Sequence, residues 1–149
     1  MSDLHFTLVR LHAAAPGTLE MVFADGQALS VDLRSIYAKT KTLHRLKDWK
    51  VFKTAAIADQ GRSVQWLGDD NLELAADNLR ARAIEQSGQY SHEWLWNWMH
   101  RHGLTLDTAA QALGISRRML AYYRSGAKPL PLTVALACYG WESRGKLAA

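Results

Sequence analysis

Hydrophobic residues change their spacing part-way along this chain. Over roughly the first 70 positions they tend to alternate with polar ones, and beyond Ser91 they recur every three or four. The stretch "TLEMVFADGQALSVDL", residues 18–33, is a hairpin candidate bending at Asp25 and Gly26. A two-residue loop would pair Phe23 with Ala28 and Met21 with Ser30, mixing polar and apolar partners. A three-residue loop over residues 24–26, with Gly26 left-handed, pairs Phe23 with Gln27, Met21 with Leu29 and Leu19 with Val31. That register gathers Leu19, Met21, Phe23, Leu29, Val31 and Leu33 on one face, and it is the expected one. Residues 5–13 predict an earlier strand, joined to the hairpin through Pro16 and Gly17, and residues 55–67 a second hairpin turning at Asp59–Gly61. Between them, residues 42–55 carry Leu43, Leu46 and Phe52 near helical spacing, so one or two short helices should cover the sheet. Asp69 and Asp70 fall in an expected loop. Residues 73–86 begin a helix that turns polar and fades into the Ser- and Gly-bearing stretch 87–91.

From Ser91 onward the pattern is helical. Ser91 is placed to cap a helix that Gly103 ends, Thr105 one that stops at Gly114, and Ser116 one that stops at Gly126. Pro131 suits the first turn of a fourth helix, expected to close at Gly140. The fold class expected is therefore α+β. A small antiparallel sheet with short helices occupies residues 1–86, a linker follows at 87–91, and an all-α domain spans 92–149.

Charge sharpens this division. Residues 1–90 carry eleven Lys and Arg against eleven Asp and Glu, whereas residues 91–149 carry seven against three, so the whole net charge of +4 lies in the helical part. Arg117, Arg118, Arg124 and Lys128 supply four of those positives within twelve residues. A concentrated positive field suits a polyanion, because counterions released on contact drive such binding. No apolar run approaches the roughly 18 residues of a membrane span, and the opening residues lack the pattern of a signal peptide. With one cysteine, Cys138, the chain has no internal disulfide, and the expected compartment is the cytoplasm.

The residues "LTLDTAAQALGISRRMLAYYRSGAKPLP" resemble the phage-repressor, Cro-like helix-turn-helix family across about residues 94–140. The matching positions are Ala110, Leu113, Gly114, Ile115, Ser116, Leu120, Tyr123, Gly126 and Pro129. Ala110 is small where the next helix crosses, Gly114 takes the turn, and Ile115, Leu120 and Tyr123 anchor the third helix. The resemblance implies double-stranded DNA as the partner. Arg117, Arg118 and Tyr122 would face base edges in the major groove, while Thr105, Thr108, Ser116, Arg124, Ser125 and Lys128 would lie along the backbone. Two positions depart from the family. Leu106 stands where members often have a phosphate-clamping Gln. Met99 and Arg124 stand where many pair a buried Arg with a Glu, which would turn Arg124 outward or onto a tryptophan. Members commonly dimerise, so a homodimer is expected, although the tail after residue 140 is short for a further helix.

The first segment resembles a small bacterial α+β domain family of unknown function, met alone or fused to a helix-turn-helix. The resemblance rests on "FADGQ", "VDLRSIY", "LKDWKVFKTAAI" and "GRSVQWLGDDNLELAADNL". It implies an architecture and no activity. In "WLWNWMHRH", Leu95, Trp98 and Met99 belong on a buried stripe, leaving Trp94 and Trp96 to pack on the other domain or to meet a partner. His92, His100 and His102 do not share one helix face, so no metal site is expected. Neither a phosphate-cradling Gly-rich loop nor a partnered nucleophile is present, which leaves no catalytic residues and no cofactor to assign. The expected function is sequence-specific DNA binding in bacterial transcription regulation. The alternative is an interaction module such as the antitoxin of a toxin–antitoxin pair.

Overall fold

The structure, a computed structural model, describes residues 4–148. Its first sheet is antiparallel and ordered β1 (Leu8–Ala15), β2 (Thr18–Phe23), β3 (Ala28–Asp32). The β2–β3 hairpin closes in the three-residue register that the alternation predicts. Leu19 faces Val31 and Met21 faces Leu29, Phe23 N–H donates to the Gln27 carbonyl at 2.9 Å, and Gly26 sits at φ 91°. Leu19, Met21, Phe23, Val31 and Leu33 are buried as a result, and Leu29 packs at the margin. β1 begins later than residue 5. Leu4–Phe6 form a 3-10 turn, because Arg80 takes the His5 carbonyl at 2.7 Å, and Thr7 closes that turn through its N–H to the Leu4 carbonyl.

A helix that the spacing did not indicate follows directly, α1 (Arg34–Lys39). It has no side-chain cap of its own, and the Asp32 carboxylate receives the Arg34 N–H instead. A 3-10 stretch, Lys41–Lys47, and the single turn α2 (Trp49–Phe52) then cover the sheet, burying Leu43, Leu46 and Phe52. Asp48 caps α2 by accepting from Lys50 N–H at 3.0 Å.

The second antiparallel sheet is ordered β4 (Ala56–Ala58), β5 (Ser63–Trp66), β6 (Asp69–Ala75), with Asp59–Gly61 making the expected first turn. β6 corrects the expectation of a loop at Asp69 and Asp70 and a helix from residue 73. Leu67 (φ 58°) and Gly68 (φ 63°) form a two-residue turn with both residues left-handed, the geometry a tight hairpin needs. The chain therefore folds straight back, Val64 facing Leu74 and Gln65 facing Glu73. Trp66 is fully buried beside the turn, and its indole N–H donates to the Phe52 carbonyl at 3.0 Å. Helix α3 (Ala76–Gln86) starts only after β6 and lays Ala76, Leu79 and Ala83 on the same core as both sheets. Its last side chain, Gln86, both accepts from Asp32 N–H and donates to the Asp32 carbonyl, extending the β3 ladder with an amide.

Contacts divide the chain between Ser87 and Gly88 into two units. The second is all helix: α4 (His92–Arg101), α5 (Leu106–Leu113), α6 (Arg117–Ser125) and α7 (Leu132–Ala148). Its core gathers Leu95, Trp98 and Met99 of α4, Ala109 and Ala110 of α5, Leu120 of α6, and Val134, Ala135 and Cys138 of α7. Cys138 is fully buried in this core, and that burial pushes its thiol up to about 12. The fourth helix does not close at Gly140, as the glycine suggested, but continues to Ala148. The reason lies across the unit. Trp141 meets the rings of Trp98 and His102 edge-on, and Glu142 accepts from Arg101 at 3.1 Å and lies 2.9 Å from His102 Nε2. Those contacts to the end of α4 outweigh the roughly 1 kcal/mol that a mid-helix glycine costs. No helix among the described residues is long and apolar enough to cross a membrane.

Candidate nucleic-acid interface

The site is built on α5, a three-residue turn and α6. Thr105 and Thr108 cap α5 reciprocally: each hydroxyl accepts the other residue's N–H, at 3.1 and 2.8 Å. Their side chains are thus engaged in holding the first turn. Gly114 ends α5 at φ 70°, a left-handed position where a β-carbon would be strained. Ser116 then caps α6 by accepting from Met119 N–H at 3.1 Å, so its hydroxyl is structural as well. Leu120 is fully buried, Ile115 and Tyr123 pack against the core, and small Ala109 and Ala110 receive them. Burial of Leu120 alone stabilises the unit by about 1.5–3 kcal/mol and fixes the rotation of α6.

That rotation presents Arg117 and Arg118 to solvent with Tyr122 beside them. Three of the basic and aromatic candidates come together. Arg118 Nε donates to the Tyr122 hydroxyl at 3.1 Å, its guanidinium lies 5.7 Å from the ring centre, and Lys128 Nζ lies 4.9 Å from the same centre. The hydrogen bond from Arg118 and the two positive charges hold the Tyr122 phenol below its ordinary pKa. Ser125 bridges the end of the helix: its hydroxyl donates to the Tyr122 carbonyl and accepts Ala127 N–H, shaping the turn that brings Lys128 back over the ring.

Arg117 stands apart from this group. Its Nε lies 2.9 Å from Oδ1 of Asp107, in the first turn of α5. Asp107 was absent from the sequence-based site. The available signal was an acid on one helix and an arginine ten positions on, at the start of the next, which meet only if the intervening turn is tight. Arg124 occupies the last turn of α6, where its charge complements the helix dipole. It is half-buried, and among the described residues no tryptophan ring lies beneath it. Met99, at the position matched with it, is buried in the core.

The tryptophans of α4 divide. Trp94 is partly buried, meeting Tyr90 (4.7 Å) and Tyr139 (5.5 Å), while Trp96 is 50% exposed and stacks on His100 at 5.2 Å. Leu132, Leu136 and Tyr139 are also exposed, at the i, i+4, i+7 spacing of one face of α7. Among the described residues, no group of three or more His, Cys, Asp or Glu is arranged to hold a metal ion.

No family model and no curated protein matches the chain. A crystal structure, that of "Putative DNA Binding Protein NE0471" from Nitrosomonas europaea ATCC 19718, matches with a TM-score of 0.85 and 43% sequence identity. The match covers 91% of this chain and 86% of that one. Identity at that level over nearly the whole length of both chains, across both the sheets and the helices, means that this chain belongs to the same family as NE0471.

Proposed function

We propose that this chain is a sequence-specific DNA-binding protein of the helix-turn-helix kind and regulates transcription. In this reading α6 enters the major groove and α5 lies across the backbone. The observation that carries it is the outward face of α6, where Arg117, Arg118 and Tyr122 stand on a helix whose rotation is fixed by Leu120 and the turn after it brings Lys128 beside them. The relative described as DNA-binding supports the same partner. Arg117 and Arg118 each have the donor fork that matches the O6 and N7 of guanine, worth about 1–3 kcal/mol of discrimination apiece. Tyr122 supports Arg118 and offers its ring edge to a base or sugar. Lys128, Arg124, Ser125 and the main chain at the start of α5 and α6 run along phosphates.

One such helix makes a small contact, and specific sites are commonly read by two copies. The apolar face of α7 is the surface offered to a second copy in this reading. The first unit then serves dimerisation, partner binding or sensing. Exposed Trp96 is the feature that favours the second reading, an interaction module of antitoxin type, because its ring lies on α4 and not on the reading helix.

A gel shift against the DNA upstream of the coding sequence, over a salt series, tests the proposal. Binding should weaken steeply with salt. Arg117→Ala and Arg118→Ala should relax base preference, whereas Lys128→Ala should weaken all sequences alike and reduce the salt slope by about 1. Equal loss on every sequence from all three changes removes the base-reading role, and no shift at low salt removes the function.

A further inference from the structure

We infer that Asp107 is a specificity-determining residue, a carboxylate that offsets the charge of Arg117 and so turns it from a phosphate contact to a guanine contact. The inference rests on the DNA-binding reading above and deepens it. Asp107 Oδ1 meets the Nε of Arg117 at 2.9 Å, across the turn from one helix to the next. The side chains are 63% (Arg117) and 74% (Asp107) exposed, so the pair adds little to folding, and its geometry needs another reason.

The chemistry supplies one. A guanidinium has five N–H donors in a planar fork. Asp107 approaches that fork from its Nε side as an ion pair, and the two terminal nitrogens lie beyond that contact. Those two are the donors that guanine O6 and N7 require. An unheld arginine at the start of such a helix is drawn to the nearest phosphate, which carries the larger charge and no sequence information. With Asp107 beside it, the Arg117 site has no net charge, and the carboxylate repels phosphate oxygens. Arg118 has a different support, the neutral Tyr122 hydroxyl, and keeps its full charge next to Lys128. The two arginines are therefore unequal: Arg117 is held for a base, while Arg118 is held in a field that also attracts backbone.

The test starts from a preferred duplex, selected for the wild-type chain from a randomised pool. Dissociation constants are then measured by fluorescence anisotropy for that duplex, for versions with 7-deazaguanine at each guanine in turn, and for an unrelated duplex, over a salt series. The proteins are wild type, Arg117→Ala, Asp107→Ala and Asp107→Asn. One 7-deazaguanine, which lacks the N7 acceptor, should cost the wild type about tenfold and Arg117→Ala almost nothing. Asp107→Ala should lose most of that discrimination while binding the unrelated duplex more tightly, with a salt slope steeper by about 1. Asp107→Asn removes the charge while keeping the side chain's shape, so it should share both the steeper slope and the loss of discrimination. A helix-end acid with no other role would change stability and leave the 7-deazaguanine penalty alone. Asp107→Ala with the full tenfold penalty therefore overturns the assignment. A penalty undiminished in Arg117→Ala as well, or selection that yields no preferred duplex, overturns the base-reading role itself and this inference with it.

Discussion

Arg80→Met is the perturbation on which the first unit can be judged most directly. Arg80 donates to both carboxylate oxygens of Asp25 (3.2 and 2.8 Å) and to the His5 carbonyl (2.7 Å), and its guanidinium lies 4.9 Å from the Phe23 ring centre. It thereby ties α3 to the β2–β3 turn and to the start of the chain. Methionine keeps an apolar stem over Phe23 and removes every donor. Breaking a fully buried ion pair costs about 3–5 kcal/mol, and an exposed pair contributes about 0–1. The Arg80 side chain is 11% exposed and that of Asp25 30%, so water can partly re-solvate the stranded carboxylate. The expected cost is about 2–3 kcal/mol at neutral pH, or roughly 10–20 °C in the melting of a unit this size. The pH dependence supplies a second check. Burial alone would raise the Asp25 carboxyl, but the hydrogen bonds from Arg80 and from Gln27 N–H outweigh it and hold the pKa below the ordinary carboxylate value. A group lowered on folding stabilises above its unfolded pKa, and that stability is lost as pH falls through the folded value. The gap between wild type and Arg80→Met should therefore be full at neutral pH and narrow below about pH 4. Urea denaturation, with hydrogen exchange on peptides from residues 18–33 to isolate this unit, measures it. A cost under about 0.5 kcal/mol, or a gap unchanged at pH 3, would refute the reasoning.

Two further outcomes follow from the turns and the helix faces. Leu67→Asn should stabilise the chain by about 0.5–1 kcal/mol in the same urea assay, since Leu67 holds φ 58° while 46% exposed and asparagine tolerates that conformation better. Leu136→Glu places a charge on the exposed face of α7. If this face joins two copies as proposed above, the change should lower the mass from dimer to monomer in sedimentation velocity without lowering thermal stability, and an unchanged mass would remove the α7 face from the proposal.

How much of this was legible follows from where the information lies. The β2–β3 register was available because only one loop length puts six apolar residues on one face, and Gly26 marks the bend. β6 was hidden because its turn carries leucine, not asparagine or aspartate, at a left-handed position, and because "ELAADNL" scores well as helix. Burial of Leu72 and pairing with β5 override that preference. The end of α7 was misplaced for a related reason. Gly140 is a local stop signal, and the groups that overrule it, Trp98, Arg101 and His102, lie some forty residues earlier. Caps and glycines report on local geometry, and they fail where a distant partner supplies more energy than the local preference.

The candidate interface divides in the same way. Its placement was legible, since Ser116, Gly126 and the inward pair Leu120 and Tyr123 fix α6 from sequence, and the outward side chains follow by geometry. What each polar side chain is doing was not. Thr105, Thr108 and Ser116 were read as backbone contacts, and the structure adds that their hydroxyl oxygens also accept backbone N–H groups at the helix starts. Arg117 and Arg118 looked equivalent, but one leans on a carboxylate and the other on a phenol. In the inference drawn above, the choice of Arg117 between base and phosphate is set by Asp107, a partner on the preceding helix. A basic helix read from sequence therefore supplies the charge of an interface, whereas its selectivity has to be sought in the neighbours that orient that charge.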